Sequence, residues 1–311
     1  MTSAMLDAPA VTVRVPAKVN LELRVGPPGA DGFHPLATVF QAVSLFDEVT
    51  VTPADEWDIT ISGSRALGVP ADESNLALRA ARLLAESMAP HEPVSIHIEK
   101  EIPVAGGMAG GSADAAATLV ACDRLWGLDL SFADLEGFAR ALGSDVPFLL
   151  HGGTAVGSRR GDLIAPALTR GTYHWVFATS DIGLSTPDVY AEFDRLTEDR
   201  PIEDPVVRPE LLSALRAGDP YAVAEHLHND LQEAAVQLRP ELGGVLADGL
   251  TYGALAGIVS GSGPTVAFLA GSHELAIDLA VALTATGAVS DVHRATGPVH
   301  GASLRGVPRI D

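Results

Sequence analysis

One segment of the sequence reads Pro103-Val104-Ala105-Gly106-Gly107-Met108-Ala109-Gly110-Gly111-Ser112-Ala113-Asp114-Ala115-Ala116-Ala117. It joins a predicted strand at 94–99 to an alanine-rich helix predicted at about 112–125. Glycines at such a junction let backbone N–H groups approach a ligand with no side chain in between. The first helical turn adds unpaired N–H donors and a partial positive charge. The segment therefore predicts a phosphate-binding loop that needs no net positive charge on the protein.

Two common phosphate loops do not fit this segment. A Walker A loop needs a lysine between the last glycine and the hydroxyl residue, but Ser112 follows Gly111 directly. A dinucleotide fingerprint needs glycine where Ala105 stands. The competing interpretation is a flexible connector before a well-capped helix, which four glycines in six residues disfavour because they are costly to order. Asp114, expected in the first turn of the helix, is interpreted as a charge that complements the helix dipole rather than a catalytic base.

The N-terminal segment has the period of half-buried strands. Apolar residues alternate with polar ones on both sides of Pro16, and Lys18 and Asn20 fall on the same polar face. Residues two apart on one face project the same way, roughly 6.5–7 Å from each other. We therefore expect Lys18 and Asn20 to address one ligand together, although a single lysine on a strand is usually a solvated charge.

Three further segments are candidate sites. Asp31-Gly32 predicts a turn before Phe33-His34 and an extended run through Phe40. Asp145, in Gly143-Ser144-Asp145-Val146-Pro147-Phe148, is either an ordinary turn or cap residue or an exposed proton acceptor held by a rigid turn. Ser260-Gly261-Ser262-Gly263-Pro264 joins two apolar strands and is either a plain hairpin or part of a site. His226 and His228 resemble metal ligands, but in the helix predicted at 220–236 their side chains point about 200° apart.

Strands with interspersed helices and no regular βαβ repeat predict an α+β protein of two domains, 1–165 and 166–311. Further helices are predicted near 75–88, 132–142, 188–198, 209–217, 240–251 and 273–286, and C-terminal strands at 173–179, 255–259, 265–270 and 289–294.

Composition excludes several classes of protein. Forty acidic residues against twenty basic ones give a formal charge of −20, which argues against nucleic-acid binding. Residues 249–272 lack charge, but their glycines and Pro264 fit strand, loop and strand better than a membrane helix. The single Cys122 forms no internal disulfide, and the N-terminus has no signal peptide, so we expect a cytoplasmic protein.

In order and spacing, the motifs resemble those of the GHMP kinase superfamily over nearly the whole chain. Pro16-Ala17-Lys18-Val19-Asn20-Leu21 is similar to the first motif, 103–113 to the ATP motif, and 143–148 to the catalytic-aspartate motif. Gly261-Ser262-Gly263 resembles the third motif, and Ser185-Thr186-Pro187, Tyr190 and Asn229-Asp230-Leu231 resemble segments of the C-terminal half. The sequence departs from the family at Phe33, where Tyr is usual, and at Ala105, Ala109 and Ala113, which replace Gly, Gly and Ser.

The resemblance implies a two-domain fold, with an N-terminal ribosomal-protein-S5-domain-2-like domain and a C-terminal ferredoxin-like domain. Within the superfamily, the motifs are most similar to the branch that phosphorylates the 2-hydroxyl of 4-diphosphocytidyl-2-C-methyl-D-erythritol in the non-mevalonate isoprenoid pathway. The resemblance further implies that Asp145 is the general base and that Lys18 orients the hydroxyl and keeps Asp145 ionised. ATP would bind at 103–113 as its Mg²⁺ complex, with no clear protein ligands for the metal beyond a direct or water-mediated contact from Ser112. The residues expected to contact the cytidine diphosphate acceptor are Asn20, Phe33, His34, Phe40, Thr186 and Tyr190.

Two rival interpretations remain open. Another small-alcohol kinase of the superfamily, of the homoserine or mevalonate type, is disfavoured by the Asp-Gly-Phe-His turn and the first motif. A nucleotide-binding module without catalysis would keep the glycine loop but lack a working base, and the presence of both Lys18 and Asp145 weighs against it. Whether the protein has protein partners is unknown from the sequence.

Overall fold

The computed structural model describes residues 9–88, 92–104 and 106–305. Two sheets and ten helices over these ranges make it an α+β protein, as predicted. The strands are β1 (Val11–Val25), β2 (Leu36–Pro53), β3 (Asp58–Ser62), β4 (Val94–Glu99), β5 (Thr154–Arg159), β6 (Leu163–Pro166), β7 (Tyr173–Thr179), β8 (His228–Asn229), β9 (Ala256–Val259), β10 (Val266–Ala270), β11 (Asp291–Gly297) and β12 (Ser303–Leu304). The helices are α1 (Leu76–Met88), α2 (Gly110–Trp126), α3 (Phe132–Leu142), α4 (Val146–His151), α5 (Thr186–Thr197), α6 (Pro209–Ala217), α7 (Pro220–Ala224), α8 (Gln232–Leu238), α9 (Glu241–Thr251) and α10 (His273–Thr286).

The first sheet is built on the long antiparallel pair β1 and β2. Its order is β12-β1-β2-β4-β3, while β5 extends β2 and pairs with β6, and β8 pairs in parallel with β1. The predicted alternation continues through Pro16, with register shifts after Pro16 and between Asn20 and Glu22. Helices α1, α2 and α4 bury their small and aliphatic side chains against this sheet.

The second sheet is antiparallel, in the order β11-β7-β10-β9. In chain order it reads strand, helices, two strands, helix and strand, which is the β-α-β-β-α-β arrangement of ferredoxin-like domains. The predicted C-terminal fold is thus confirmed. Its uncharged segment at 249–272 spans the end of α9, β9, a loop and β10, and none of the helices in the described ranges is both long and apolar enough to cross a bilayer.

Sheet membership changes between β6 and β7, close to the predicted domain boundary at 165/166. That boundary remains a prediction, because β8 and β12 return from the second half of the chain to pair with β1.

The single helix predicted over 220–236 is wrong. The chain forms α7, then the short strand β8, then α8. Side chains of the intervening residues bond the backbone of other segments: Asn229 donates to the carbonyl oxygens of Val259 and Gly261, and Asp230 accepts from the amide of Val25. These long-range bonds hold an extended conformation that helical periodicity within the segment cannot reveal.

Candidate functional site

A cavity of about 880 Å³ brings the predicted motifs together. Strands β1 and β2 of the first sheet form one side of it, the glycine loop and the start of α2 another, and α5 with the loop at 261–263 a third. The residues predicted from sequence that line it are Lys18, Asn20, Phe33, His34, Phe40, Gly106, Gly107, Ala109, Gly110, Gly111, Ser112, Asp145, Thr186 and Tyr190.

The glycine loop is held from both sides by backbone contacts. The amide of Lys18 donates to the carbonyl of Met108 (3.2 Å), and the hydroxyl of Ser260 donates to the carbonyl of Gly107 (3.0 Å). Gly107 has a φ of +74°, and a Cβ there would lie 2.0 Å from the Ser260 carbonyl oxygen, so only glycine fits. The segment 260–264 is therefore more than a plain hairpin, because it packs against the glycine loop.

Helix α2 begins at Gly110, two residues earlier than predicted. The preceding Ala109 is left-handed (φ 61°, ψ 34°) and offers no side chain to cap the helix. The first amides of the helix, at Gly110, Gly111 and Ser112, have no carbonyl partner within the helix, and these three residues line the cavity. This is the geometry of a phosphate site at a helix N-terminus.

Not every residue predicted in the ATP loop lines the cavity. Met108 and Ala113 are buried in the core, Pro103 is buried and Val104 is exposed, and these four residues are not among those that line the cavity. Ala105 lies outside the described residues.

Lys18 and Asn20 share one face of β1, as predicted, and are bonded to each other. Lys18 Nζ donates to Asn20 Oδ1 (2.5 Å), Asn20 Nδ2 donates to Thr38 Oγ1 (2.8 Å), and Thr38 donates to the carbonyl of Glu22 (2.6 Å). This chain of bonds fixes the Asn20 amide and directs the ammonium. Burial lowers the pKa of Lys18 below its usual 10.5, although the nearby carboxylate of Asp145 opposes the shift.

Asp145 precedes α4 at its N-cap position, yet its side chain makes no cap hydrogen bond. The carboxylate is half-buried, lines the cavity, and interacts electrostatically with Lys18 and Tyr190. Pro147 in the first turn gives the short helix a rigid start. The structure thus contradicts the cap interpretation of Asp145, and its role as a proton acceptor stays a prediction.

Of the aromatic residues predicted to contact the acceptor, some lie in the cavity wall and one lies mainly in the core. The rings of His34 and Tyr190 lie with centroids 5.1 Å apart, and Phe33 is 55% exposed at the cavity mouth. His34 Nδ1 lies 2.8 Å from the Gly26 carbonyl oxygen, so Nδ1 carries the proton and Nε2 points toward Asp194 at 3.5 Å. Burial and the Asp145 charge raise the pKa of Tyr190, which stays protonated.

Phe40 and Thr186 touch the cavity but also have structural partners. The ring of Phe40 is 2% exposed and stacks on Phe148 at 4.8 Å, which makes it mainly a core residue. The hydroxyl of Thr186 bonds that of Ser262 (2.8 Å) and so joins the start of α5 to the loop at 261–263.

Sequence reasoning missed a buried ionic cluster under the glycine loop. Lys100 Nζ donates to both Asp47 and Asp114 (2.6 Å to the latter), and Asp47 also accepts from the amides of Glu101 and Ile102. Asp114 is 1% exposed and lies beyond the first turn of α2, because the helix begins early, so the dipole interpretation is wrong. Burial, aided by Asp47, raises the pKa of Asp114 against the opposing effect of Lys100, while the two carboxylates raise the pKa of Lys100.

Other cavity residues were also missed, among them Thr38, Arg160 and Asp194. Their polar side chains carry no local motif; only the pairing of β2 with β5 and the placement of α5 bring them to the site. In the described part of the chain, no group of three or more His, Cys, Asp or Glu side chains is arranged to hold a metal ion, and His228 bonds Asp230 instead (2.5 Å).

Comparison with known proteins identifies the family of the chain. The family models "GHMP kinases N terminal domain" and "GHMP kinases C terminal" match residues 75–153 and 211–289. A 4-diphosphocytidyl-2-C-methyl-D-erythritol kinase of Clavibacter michiganensis subsp. michiganensis is 52% identical over 98% of this chain and 99% of its own. Its counterpart of the same name from Mycolicibacterium smegmatis is 54% identical over 96% of this chain and 93% of its own.

A solved structure gives the same result in three dimensions. The crystal structure of a 4-(cytidine 5'-diphospho)-2C-methyl-D-erythritol kinase is 32% identical, with a TM-score of 0.75 over 91% of this chain and 98% of that one. The resemblance to the GHMP kinases, which use ATP, is thereby confirmed. With relatives more than half identical over nearly its whole length, the chain belongs to the 4-diphosphocytidyl-2-C-methyl-D-erythritol kinase family of the GHMP kinases.

Proposed function

We propose that the protein transfers the γ-phosphoryl group of ATP to the 2-hydroxyl of 4-diphosphocytidyl-2-C-methyl-D-erythritol, giving the 2-phosphate and ADP in isoprenoid precursor synthesis. The observation that carries the proposal is the meeting of Lys18, Asp145 and the free first turn of α2 in one cavity. A cavity of about 880 Å³ lies within the size range of ligand pockets. The high identity to kinases of this name supports the choice of acceptor.

Asp145 is the proposed general base. Its carboxylate is not used as a helix cap, lies in the cavity, and interacts with the charge of Lys18. As the acceptor oxygen attacks phosphorus, its proton passes to the Asp145 carboxylate, and the bond from the γ-phosphorus to the bridging oxygen of ADP breaks. Lys18, fixed by Asn20, orients the hydroxyl and stabilises the negative charge on the transferring group.

The acceptor-binding roles are assigned to the wall opposite the glycine loop. Phe33 and Tyr190 offer ring faces to the cytosine, and Nε2 of His34 offers an acceptor to its exocyclic amine. Asn20, Thr186 and Phe40 complete the proposed contacts.

Mg²⁺ belongs to the proposal as part of the ATP complex. The described residues fit a metal held mainly by phosphates and water: Ser112 offers a hydroxyl in the first turn of α2, and no carboxylate cluster competes for the ion there. When bound, the ion neutralises phosphate charge that a chain of −20 would otherwise repel. A cytoplasmic location, without nucleic-acid or membrane partners, is part of the same proposal.

The test is ADP release in a coupled assay with Mg·ATP and 4-diphosphocytidyl-2-C-methyl-D-erythritol. Asp145→Asn should lower kcat by on the order of 10²-fold or more, because the hydroxyl proton loses its acceptor. Asp199→Asn, a change at an exposed aspartate outside the cavity, serves as the matched control and should leave kcat unchanged.

Each rival has its own outcome in this assay. Turnover with homoserine or mevalonate but not with the cytidine diphosphate compound would replace the proposed acceptor. ATP binding without turnover on any of these alcohols would favour the non-catalytic module. Full activity in Asp145→Asn would keep the kinase and remove Asp145 from its role.

A further inference from the structure

The cavity contains few positive charges for the ligands it must hold. Among the described residues that line it, Lys18 and Arg160 are the only lysine or arginine side chains, and the same lining contains the carboxylates of Asp145 and Asp194. Lys18 is buried beside Asn20, at the site proposed for phosphoryl transfer. The proposed acceptor carries a diphosphate of its own, which the glycine loop cannot serve while it holds ATP. A second cation is therefore required, and Arg160 is the residue available.

The fold fixes where Arg160 lies. It begins the tight turn of the β5–β6 hairpin, between Arg159 and Gly161, which both have positive φ (63° and 86°). In the ladder, Arg159 pairs with Leu36, the first residue of β2. This register sets the tip of the hairpin directly beside the turn that carries Phe33 and His34.

The contacts of Arg160 orient its guanidinium group but use only part of its hydrogen-bond donors. The guanidinium carbon lies 3.8 Å from the centroid of the Phe33 ring, and Nη2 donates to Asp31 Oδ2 (2.6 Å). Asp31 also accepts from the amide of Phe33 (3.0 Å), so that turn and hairpin are joined. A guanidinium has five N–H donors, and the side-chain hydrogen bonding shown here is to Asp31 alone.

The Arg160–Asp31 ion pair has little weight as a structural bond. The two side chains are 47% and 57% exposed, and pairs of this kind contribute little to stability. A phosphate group competes well with such a carboxylate, because a guanidinium fork matches phosphate oxygens and makes charge-assisted hydrogen bonds.

We propose that Arg160 is a specificity-determining residue that binds the diphosphate of the acceptor, so that the enzyme selects a nucleoside diphosphate ester over an uncharged alcohol. The inference rests on the proposed function and deepens it. Phe33 covers one face of the guanidinium, and Arg160 itself lines the cavity. In this position Arg160 reads the phosphates, and the cytosine is left to the aromatic wall.

The experiment measures binding of CDP and of cytidine by isothermal titration calorimetry, with the ATP site saturated by a non-hydrolysable ATP analogue. Arg160→Gln should weaken CDP about tenfold, the size of a half-exposed charge-assisted contact, and cytidine less than about twofold. Arg159→Gln removes the same charge one residue away, outside the cavity, and should change neither affinity. Arg160→Lys should retain part of the CDP affinity.

Kinetics give a second measure, because KM for the cytidine diphosphate acceptor should rise in Arg160→Gln while kcat and KM for ATP stay within about threefold. Equal weakening of CDP and cytidine would show that Arg160 supports the base, and unchanged CDP affinity would show no role; either result overturns the inference while the proposed function stands. If wild type bound neither CDP nor cytidine at millimolar concentration, the proposed acceptor itself would fail, and this inference with it.

Discussion

Two buried lysines flank the glycine loop, and their surroundings are opposite. Lys100, 1% exposed, lies beneath the start of α2 and donates to the carboxylates of Asp47 and Asp114. Lys18, 3% exposed, lies on the cavity side and donates to the neutral amide of Asn20. The carboxylates raise the pKa of Lys100, whereas burial lowers that of Lys18.

The difference separates a cation that the protein pairs from one to which the proposed function gives a role. A buried charge is costly unless it is paired, and the protein itself pairs Lys100. Lys18 has no carboxylate within ion-pair distance among the described residues, which fits the proposal that its charge acts on the transferring phosphoryl group. The protein holds Lys18 ready at a cost in stability, as functional sites often do.

The same substitution at the two lysines should therefore have opposite consequences. Lys100→Met leaves Asp47 and Asp114 facing each other in the core without a cation. We expect it to lower the free energy of unfolding by about 3–5 kcal/mol, measured by urea denaturation, because breaking one half of a buried ion pair exposes the whole desolvation cost of the other. The glycine loop should loosen with it, since Asp47 also holds the amides of Glu101 and Ile102.

Lys18→Met should leave the fold intact and greatly reduce phosphoryl-transfer activity. Replacing a buried unpaired ammonium by an apolar side chain is neutral or stabilising, while kcat should fall on the order of 10²–10³-fold with the loss of a transition-state donor. Each variant is the matched control for the other. The contrast fails if Lys18→Met unfolds in as little urea as Lys100→Met, or if Lys100→Met is as stable as wild type.

The pH dependence of stability sharpens the comparison. Burial raises the pKa of Asp114 from 3.8 to about 8, so the folded protein binds a proton that the unfolded chain releases between these values. The contribution of Asp114 to stability is thus present at low pH and is lost as pH rises from about 4 to about 8. Asp114→Asn should abolish this slope, which for one proton cannot exceed about 1.4 kcal/mol per pH unit.

The measurement is the free energy of unfolding of wild type and Asp114→Asn at intervals across that range. Asp55→Asn, a change at an exposed aspartate, should keep the wild-type slope. Parallel profiles for wild type and Asp114→Asn would mean that Asp114 is ionised throughout and that Lys100 neutralises both carboxylates.

The sequence predicts features that depend on neighbouring residues and fails for features that depend on residues far apart in the chain. Lys18 and Asn20 were placed on one face because strand alternation is local, and the glycine loop because its residues are consecutive. Asn229 and Asp230 were assigned to a helix because the bonds that bend the chain there reach Val259, Gly261 and Val25. Family resemblance supplied the order of the motifs, but their meeting in one cavity needed the fold.

The buried ionic cluster around Lys100 could not be predicted from the sequence for the same reason. Asp47 and Asp114 lie 67 positions apart in the sequence with Lys100 between them, and nothing local distinguishes any of the three from an ordinary surface charge. Only the pairing of β2 with β4 and the packing of α2 on β2 bring them together. Arg160 was missed for the same reason, since its neighbour Phe33 lies 127 residues away.

The smallest expected effect concerns Ala109, the residue directly before α2. It is left-handed, at φ 61°, a conformation that costs an L-residue about 1–2 kcal/mol relative to glycine. Ala109→Gly should raise the free energy of unfolding by less than about 1 kcal/mol, because the relief of strain is partly offset by the greater freedom of glycine in the unfolded chain. Ala141→Gly, at an exposed position in α3, should instead lower it by up to about 1 kcal/mol, and equal losses in both variants would show that the Ala109 conformation carries no strain.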